Sequence, residues 1–181
     1  MKINFGNYRN KKIESPKNLK MRPTTSFVKS IIFNTLNFNN IEIVLDAFAG
    51  TGALGLESLS MGVGKVIFCD NNIHSIKSIR MTLEKMEINK NKYEIINGDF
   101  RQVLKSNLIE KYDLIFLDPP FSVEKYFNES LQLIYDKKKL SDEGIIVLET
   151  SSKLHLNEIN LFKIQKEKKY GDKKIYFLTL K

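Results

Sequence analysis

Five short apolar runs, spaced along the chain from residue 41 onward, constrain the fold more than any other feature. They are IEIVLDAF (41–48), KVIFCD (65–70), YEIING (93–98), YDLIFLD (112–118) and GIIVLET (144–150), and stretches with helical character separate them near 53–61, 73–87, 100–107 and 124–135. Strands that are apolar on both faces are typical of a parallel sheet covered by helices on both sides. The sequence therefore predicts an open, doubly wound α/β sheet whose ligands bind beyond the carboxyl ends of its strands.

The segment LFKIQKEKKYGDKKIYFLTL (161–180) breaks this alternation, because it predicts two strands joined by a tight turn at 170–172 with no helix between them. A hairpin added to a parallel sheet requires one antiparallel strand. We therefore expect a mostly parallel, seven-stranded Rossmann-like sheet with a C-terminal antiparallel hairpin. The single cysteine, Cys69, lies within the second predicted strand, where we expect it to pack in the core.

Basic charge is concentrated at the start of the chain. The formal net charge is +8, and residues 1–22 carry seven Lys or Arg side chains against one acid, Glu14. This segment predicts a basic N-terminal hairpin around residues 6–10, and its charge suits a phosphate backbone. Lysine is abundant throughout, so a solvated charged face is the alternative. We expect an N-terminal extension over 1–22, followed by the α/β domain over 23–181, whose first helix is capped by Thr24 or Thr25.

A glycine loop, DAFAGTGALGLE, follows the first predicted strand. Gly50, Gly52 and Gly55 satisfy G-x-G-x-x-G, and Asp70 ends the next strand twenty residues after Gly50. This pattern fits NAD, but any nucleoside cofactor with a ribose diol needs the same acid. Asp46 precedes the loop and would repel a pyrophosphate, whereas it would attract the ammonium group of S-adenosylmethionine. The acid therefore favours S-adenosylmethionine over NAD.

A third acid, Asp99, is predicted at the end of the third strand. It could accept a hydrogen bond from the exocyclic amine of adenine, while Phe100 covers one face of that base. Each of the three acids could instead cap a helix or stabilise a turn. Their common register with the glycine loop favours a cofactor with an amine, a diol and an adenine.

The fourth predicted strand ends in DPPF, residues 118–121. Proline has a fixed φ and no N–H, so the two prolines hold Asp118 in a rigid, extended geometry. Asp118 and the carbonyl of Pro119 could accept the two N–H groups of a planar amine, and Phe121 could stack on its ring. Without the glycine loop, a strand-ending turn with a buried Phe121 would be the better interpretation.

Four segments together carry a family resemblance: MRPTTSFVKSIIFNTL (21–36), VLDAFAGTGALGLESLSMG (44–62), FLDPPF (116–121) and YG (170–171). DPPF after a strand is similar to the [Asp/Asn]-Pro-Pro-aromatic motif of the class I amino-methyltransferases. More narrowly, the four segments resemble the bacterial 16S rRNA guanine-N2 methyltransferases of the RsmD family, over nearly the whole chain.

This resemblance implies a set of site residues and partners. The implied cofactor is S-adenosylmethionine, held by Asp46, Phe48, Gly50, Gly52, Asp70, Asn71, Asp99 and Phe100. The implied catalytic residues are Asp118, Pro119, Pro120 and Phe121, and the implied RNA contacts are Arg9, Lys11, Lys12, Arg22 and Thr24. The implied substrate is small-subunit rRNA in an assembled or assembling 30S particle, and we expect a cytoplasmic monomer with neither a metal nor a membrane partner.

Further lysines and acids outside these motifs have expected roles. Lys168, Lys169, Lys173 and Lys174 flank the final turn and could extend an RNA-binding face, although a solvated hairpin is the alternative. Glu149 ends the fifth predicted strand, where we expect a structural acid. His74 and His155 have no ligand-spaced partners, so we expect no metal site.

Other functions are compatible with parts of the pattern. DNA adenine-N6 methylation uses the same motif but usually requires an added sequence-reading domain, and protein glutamine methylation usually has Asn in place of Asp118. A non-catalytic RNA-binding assembly factor would be expected to lose its cofactor positions, all of which are present here. A NAD-dependent oxidoreductase would bind NAD rather than S-adenosylhomocysteine.

Overall fold

A seven-stranded sheet forms the centre of the molecule in a computed structural model, which describes residues 1–16, 25–119, 123–152 and 156–181. The strand order is β3-β2-β1-β4-β5-β7-β6. Strand β7 runs antiparallel to β5 and β6, and the pairs among β1 to β5 are parallel. The strands are β1 Ile43–Asp46, β2 Lys65–Asp70, β3 Tyr93–Asn97, β4 Tyr112–Leu117, β5 Leu140–Ser151, β6 Lys163–Tyr170 and β7 Lys173–Thr179. The predicted doubly wound sheet with a C-terminal hairpin is confirmed.

Helices cover both faces of the sheet. They are α1 Ser26–Phe33, α2 Ala53–Met61, α3 Ile73–Lys85, α4 Phe100–Lys105 and α5 Glu124–Asp136, with short 3₁₀ turns at Phe38–Asn40, Lys90–Lys92 and Glu158–Leu161. Alternate strand residues supply two cores: Val44 belongs to the core beneath α1, α2 and α3, and Leu45 to the core beneath α4 and α5. Cys69 is fully buried in the second core, as predicted. Within the described ranges, no helix has both the length and the apolar character needed to cross a bilayer.

The strand ends differ from the prediction by a few residues, with local causes. Strand β1 begins at Ile43 because the N–H groups of Glu42 and Ile43 donate to the side-chain carboxylate of Asp113 on β4, at 3.0 and 2.9 Å, rather than to a backbone carbonyl of that strand. Strand β3 ends at Asn97, so the prediction that Asp99 ends it is wrong; Asp99 is the N-cap of α4.

The first residues form the predicted hairpin. Lys2 and Lys12 face each other in an antiparallel bridge, and the Ile3 N–H donates to the Lys11 carbonyl at 3.0 Å. Ile3 and Ile13 are each 1% exposed and belong to the same core as α1, α2 and α3. The described hairpin residues therefore pack against the α/β core. The division of the chain at residue 22 falls outside the described residues and stays a prediction.

Helix α2 is the main attachment point of this hairpin. The Glu57 carboxylate accepts hydrogen bonds from the N–H groups of Asn4 and Phe5, at 2.7 and 3.1 Å, and from the Lys29 ammonium at 2.7 Å. The side chains of Glu57 and Lys29 are both completely buried, and Lys29 also donates to the Lys2 carbonyl at 2.6 Å. The hairpin, α1 and α2 thus meet at one buried ion pair.

One hairpin glycine permits this close approach. Gly6 has a φ of 69°, and a Cβ there would lie 1.9 Å from the carbonyl oxygen of Ser60 on α2. The Asn7 N–H donates to that carbonyl at 2.8 Å, and the Tyr8 N–H donates to the Ser60 hydroxyl at 2.8 Å. Only glycine has both the backbone freedom and the small size that this contact requires.

Candidate functional site

The carboxyl edge of the sheet gathers three of the predicted acids. Asp46 ends β1, Asp70 ends β2, and Asp118 follows directly after β4. Strand β1 lies between β2 and β4, and Asp46 pairs in register with Phe116, two residues before Asp118. The chain reverses its winding direction between β1 and β4, which is where ligands bind in open α/β sheets.

The glycine loop after β1 is built from positions where a side chain would not fit. Gly50 and Gly52 have φ values of 54° and 75°, in the left-handed region. A Cβ at Gly52 would lie 2.9 Å from the Ile79 side chain, and one at Gly55 would lie 2.3 Å from the ring of Phe68. The loop and the first turn of α2 therefore lie close against β2 and α3.

Asp70 fixes the loop from the neighbouring strand. One carboxylate oxygen accepts the Gly50 N–H at 2.7 Å, and the other accepts the Asn72 N–H at 2.7 Å. Each carboxylate oxygen has two lone-pair sites, so these contacts leave capacity for a ribose hydroxyl. Asn71 is exposed next to this carboxylate. The position fits the predicted contact with a ribose diol.

Asp46 is buried beneath the same loop. It is 3% exposed, and its carboxylate accepts the N–H of Gly55, in the first turn of α2, at 3.0 Å. Burial raises the pKa of the Asp46 carboxyl to about 7; the negative charge of Asp70 raises it as well, and the Gly55 hydrogen bond opposes both. Because its ionised form is costly here, this carboxyl gains from a nearby cation such as an amino-acid ammonium. The structure thus fits the cationic end of S-adenosylmethionine.

Asp99 has local partners at the start of α4. One carboxylate oxygen accepts the Arg101 N–H at 2.8 Å, and the other pairs with the Arg101 guanidinium at 2.7 Å. The same guanidinium reaches α5, where it forms an ion pair with Glu129. Partial burial is the largest single effect on the pKa of Arg101 and lowers it. The hydrogen bonds and charges of Glu129 and Asp99 together outweigh burial, so the pKa lies above its usual value. The predicted contact of Asp99 with adenine stays a prediction.

An aromatic cluster lies next to this network. The ring of Phe100 is 4.8 Å from that of Phe48 and 5.7 Å from that of Tyr126, and it is 3% exposed. The Arg101 guanidinium lies 4.7 Å from the Phe100 ring centre and 4.9 Å from that of Tyr126. Sequence reasoning selected Phe48 and Phe100 but missed Arg101, the next residue on α4, and Tyr126, which joins the cluster from α5, since no motif marks either residue.

The DPPF segment is described in part. Asp118 is half-buried and Pro119 is buried, while Pro120 and Phe121 lie outside the described residues, as do Arg22 and Thr24. Thr25 is the N-cap of α1, and its hydroxyl accepts the Val28 N–H at 3.3 Å. This confirms the second of the two predicted caps.

The basic residues predicted to contact RNA fall into two groups. Arg9, Lys11 and Lys12 are exposed on the hairpin, as a phosphate contact requires. Near the final turn, Lys168 and Lys169 are exposed, but Lys173 is 8% exposed and pairs with Glu149. The prediction that Lys173 extends an RNA-binding face is therefore wrong, because its charge is used inside the fold.

Glu149 is the structural acid that was expected. It is 4% exposed, and its carboxylate accepts the Tyr170 hydroxyl at 2.6 Å in addition to pairing with Lys173. His74 is exposed, and His155 lies outside the described residues. Over the part of the chain that the structure describes, no group of three or more His, Cys, Asp or Glu side chains could hold a metal ion.

Comparison with known proteins places the chain in a family. The family model described as "Conserved hypothetical protein 95" matches residues 1–179. A Haemophilus influenzae protein named ribosomal RNA small subunit methyltransferase D is 29% identical over 176 residues, which cover 94% of this chain and 89% of that protein. The chain belongs to the RsmD family.

A second relative and a solved structure are also similar to this chain. A Bacillus subtilis protein provisionally named as an rRNA methyltransferase is 30% identical over 161 residues, covering 87% of this chain and 86% of that protein. A solved structure from Escherichia coli, provisionally described as a methyltransferase, superposes with a TM-score of 0.86 over 100% of this chain and 98% of the other at 23% identity, which shows a shared fold. The predicted RsmD resemblance is confirmed.

Proposed function

We propose that this RsmD-family methyltransferase transfers a methyl group from S-adenosylmethionine to the exocyclic N2 amine of a specific guanine in 16S rRNA. The observation that carries the proposal is the placement of Asp118 directly after β4, beside the β1 end that bears Asp46 and the glycine loop. An acceptor for an amine and a site for a cationic nucleoside cofactor therefore share one edge of the sheet. The names of the relatives support small-subunit rRNA as the substrate.

The residues at the ends of β1 and β2 fit the methionine and ribose parts of the cofactor. Asp46 offers a buried carboxylate to an ammonium group, and Gly50 and Gly52 keep the loop free of side chains. Asp70 and Asn71 would hold the ribose. When bound, S-adenosylmethionine supplies an electrophilic methyl group on a sulfonium.

The adenine would lie near the start of α4. Asp99, Phe100 and Phe48 are the residues proposed to contact it, and Phe48 is half-buried, as is Tyr126 in the same cluster. The link from Arg101 to Glu129 ties α4 to α5, the helix that follows the DPPF segment. This ion pair thus joins the helix that begins with Phe100 to the helix after the DPPF segment.

Asp118 and Pro119 would act on the target amine. The lone pair of an exocyclic guanine amine is delocalised into the ring, so the amine is a weak nucleophile. The Asp118 carboxylate and the Pro119 carbonyl would accept its two N–H groups, orient the nitrogen and stabilise the positive charge that develops on it. Phe121 would stack on the base, which must first leave its helix or already lie in a loop.

The N-terminal hairpin would bind the RNA backbone. Arg9, Lys11 and Lys12 are exposed on it, while Ile3 and Ile13 anchor its other face in the core. Such contacts release counterions, so binding should weaken steeply with salt. Arg22 and Thr24 belong to the same proposed surface, and the substrate would be an assembled or assembling 30S particle in the cytoplasm, bound by a monomer.

Small ribosomal subunits from cells that lack this protein test the proposal. We expect the purified protein to form N2-methylguanosine in their 16S rRNA, detected by mass spectrometry after nuclease digestion. The variant Asp118→Ala should lose at least about a hundredfold in rate, since positioned polar groups contribute that much. Its affinity for S-adenosylhomocysteine should stay close to that of the wild type.

The exposed carboxylate of Asp142 provides a matched control. Its side chain is 87% exposed and pairs with Lys111, so Asp142→Asn should methylate like the wild type. Undiminished turnover by Asp118→Ala would refute the role given to that carboxylate. Methylation of added DNA in place of rRNA would show that the adenine-N6 alternative is correct.

A further inference from the structure

Phe27 is the most exposed large apolar side chain among the described residues. Its ring is 62% exposed in the first turn of α1, whereas Val28, Ile32 and Phe33 on the same helix are buried. Single exposed apolar side chains are common on protein surfaces, so exposure alone indicates nothing. The residues around the Phe27 ring, however, indicate a role for it.

Tyr170 supports the Phe27 ring from below. The two ring centres are 5.9 Å apart and the planes meet at 66°, an edge-to-face contact that fixes one side of Phe27 and leaves the rest in solvent. Tyr170 is itself held by its hydrogen bond to Glu149. Phe27 therefore rests on an ordered support.

The same support connects Phe27 with the candidate site. Glu149 lies on β5, and the β4–β5 register pairs Leu117 with Leu148, so the next residues along the two strands are Asp118 and Glu149. A path of contacts thus leads from the residue beside Asp118, through Tyr170, to Phe27. The exposed ring belongs to the carboxyl edge of the sheet, where the target base would bind.

Two exposed lysines lie on the same strand and the same sheet face as Tyr170, the ring that supports Phe27. On β6, Lys166 and Lys168 pair with Phe177 and Ile175, whose side chains lie in the core beneath α1, so the two lysines share the sheet face of Tyr170. Both are exposed, and neither takes part in an ion pair within the described residues. In contrast, Lys173 and Lys174 are paired with Glu149 and Glu167. Of these four lysines, Lys166 and Lys168 therefore have charges available for a ligand.

We propose that Phe27 stacks on an unpaired base next to the target guanine, while Lys166 and Lys168 contact the phosphates of the same RNA strand. The inference rests on the proposed function and adds a substrate-positioning surface to it. Aromatic rings bind single-stranded RNA by stacking with any base, and neighbouring lysines follow its backbone. Phe27 would thereby hold the looped-out strand in the orientation that presents the guanine to Asp118.

The variants Phe27→Ala and Phe27→Trp test the stacking contact. With small subunits from cells lacking the protein as substrate, Phe27→Ala should reduce kcat/KM by about 5- to 150-fold, mainly through a higher KM. Phe27→Trp keeps an aromatic face and should remain within about twofold of the wild type. Both should bind S-adenosylhomocysteine like the wild type and melt close to the wild-type temperature, because most of the ring is exposed and its contact with Tyr170 contributes little.

Tyr135 provides the matched control. It is 48% exposed and also lies edge-to-face against a second ring, that of Phe162 at 6.1 Å, but it lies on α5, and Phe162 belongs to the opposite core. Tyr135→Ala should leave KM for the rRNA substrate unchanged. An equal rise in KM for Tyr135→Ala and Phe27→Ala would overturn the inference, as would a wild-type KM for Phe27→Ala.

The double variant Lys166→Gln/Lys168→Gln tests the phosphate contacts without altering the aromatic pair. Its binding to the small subunit should depend less on salt, with the slope of log K against log [salt] reduced by about 1.4 to 1.8. An unchanged slope would overturn the assignment of these lysines. If the wild type itself forms no N2-methylguanosine, the proposed function fails first, and the inference fails with it.

Discussion

Breaking the buried ion pair between Lys29 and Glu57 should separate the role of charge from that of packing. Among the described residues, the Lys29 ammonium has two partners, the Glu57 carboxylate and the Lys2 carbonyl at 2.6 Å. In Glu57→Leu the ammonium stays buried and keeps only the carbonyl. The N–H groups of Asn4 and Phe5 also lose their acceptor. The variant therefore carries an uncompensated charge in the core and weakens the attachment of the hairpin.

The expected cost follows from these contacts. Removing one partner of a buried ion pair typically lowers the free energy of unfolding by about 3–5 kcal/mol. For a chain of this length, that loss corresponds to a fall in melting temperature of about 6–20 °C. The double variant Lys29→Met/Glu57→Leu removes both charges and should be more stable than Glu57→Leu alone, because apolar groups of similar volume can replace a buried ion pair at little cost.

Urea unfolding compares the stabilities of the single variant Glu57→Leu and the double variant Lys29→Met/Glu57→Leu, with Asp142→Asn as the control. Asp142 forms an exposed ion pair with Lys111, so its loss should leave the unfolding midpoint at the wild-type value. Limited proteolysis should also cut residues 1–16 faster in Glu57→Leu than in the wild type. A single variant that is as stable as the double variant would refute the reasoning, since the charge of Lys29 would then carry no penalty.

Two further perturbations act on the cofactor site. Because the pKa of Asp46 is about 7, only about a tenth of its carboxyl groups are ionised at pH 6. The Kd for S-adenosylhomocysteine, measured by calorimetry, should therefore rise about tenfold when the pH is lowered from 8 to 6. The variant Asp46→Asn should not show this rise. The stability of the ligand-free protein depends on pH in the opposite direction. The raised pKa of Asp46 contributes to the free energy of unfolding below about pH 4, and this contribution is lost as the pH rises through 7. Equal urea midpoints for the wild type and Asp46→Asn across this range would contradict this expectation. Gly55→Ala would place a Cβ 2.3 Å from the buried Phe68 ring and should lower the free energy of unfolding by about 1–3 kcal/mol, whereas an unchanged urea midpoint would exclude that contact.

The sheet and the acids of the glycine loop were predictable because their signals are local. An apolar run that ends in an acid marks the end of a buried strand, and this located Asp46 and Asp70 at the residues where β1 and β2 end. The same logic misplaced Asp99, since an Asp after Asn-Gly can also cap a helix, and here it caps α4. Local patterns distinguish these two roles poorly, because both place a carboxylate at the same kind of chain reversal.

The long-range contacts could not be predicted from local patterns. Lys29 looks like a solvent-facing helical lysine until the hairpin and Glu57 surround it, and the residues that meet there are separated by 27 to 53 positions. Tyr126 and Lys173 present the same difficulty. Their roles depend on partners from other elements, Phe100 and Glu149, that no spacing rule connects to them.

The position of β7 in the sheet affects the order in which strands can pair during synthesis. Strand β6 forms its ladder with β7 alone among the described strands, and β7 lies between β6 and β5. A ribosome therefore makes β6 before the strand that joins it to the sheet. Until residues 173–179 emerge, the β5 edge stays open and the lysine-rich β6 has no partner. The four lysines of β6 would then serve the nascent chain as well, because like charges on an unpaired strand discourage its pairing with other chains.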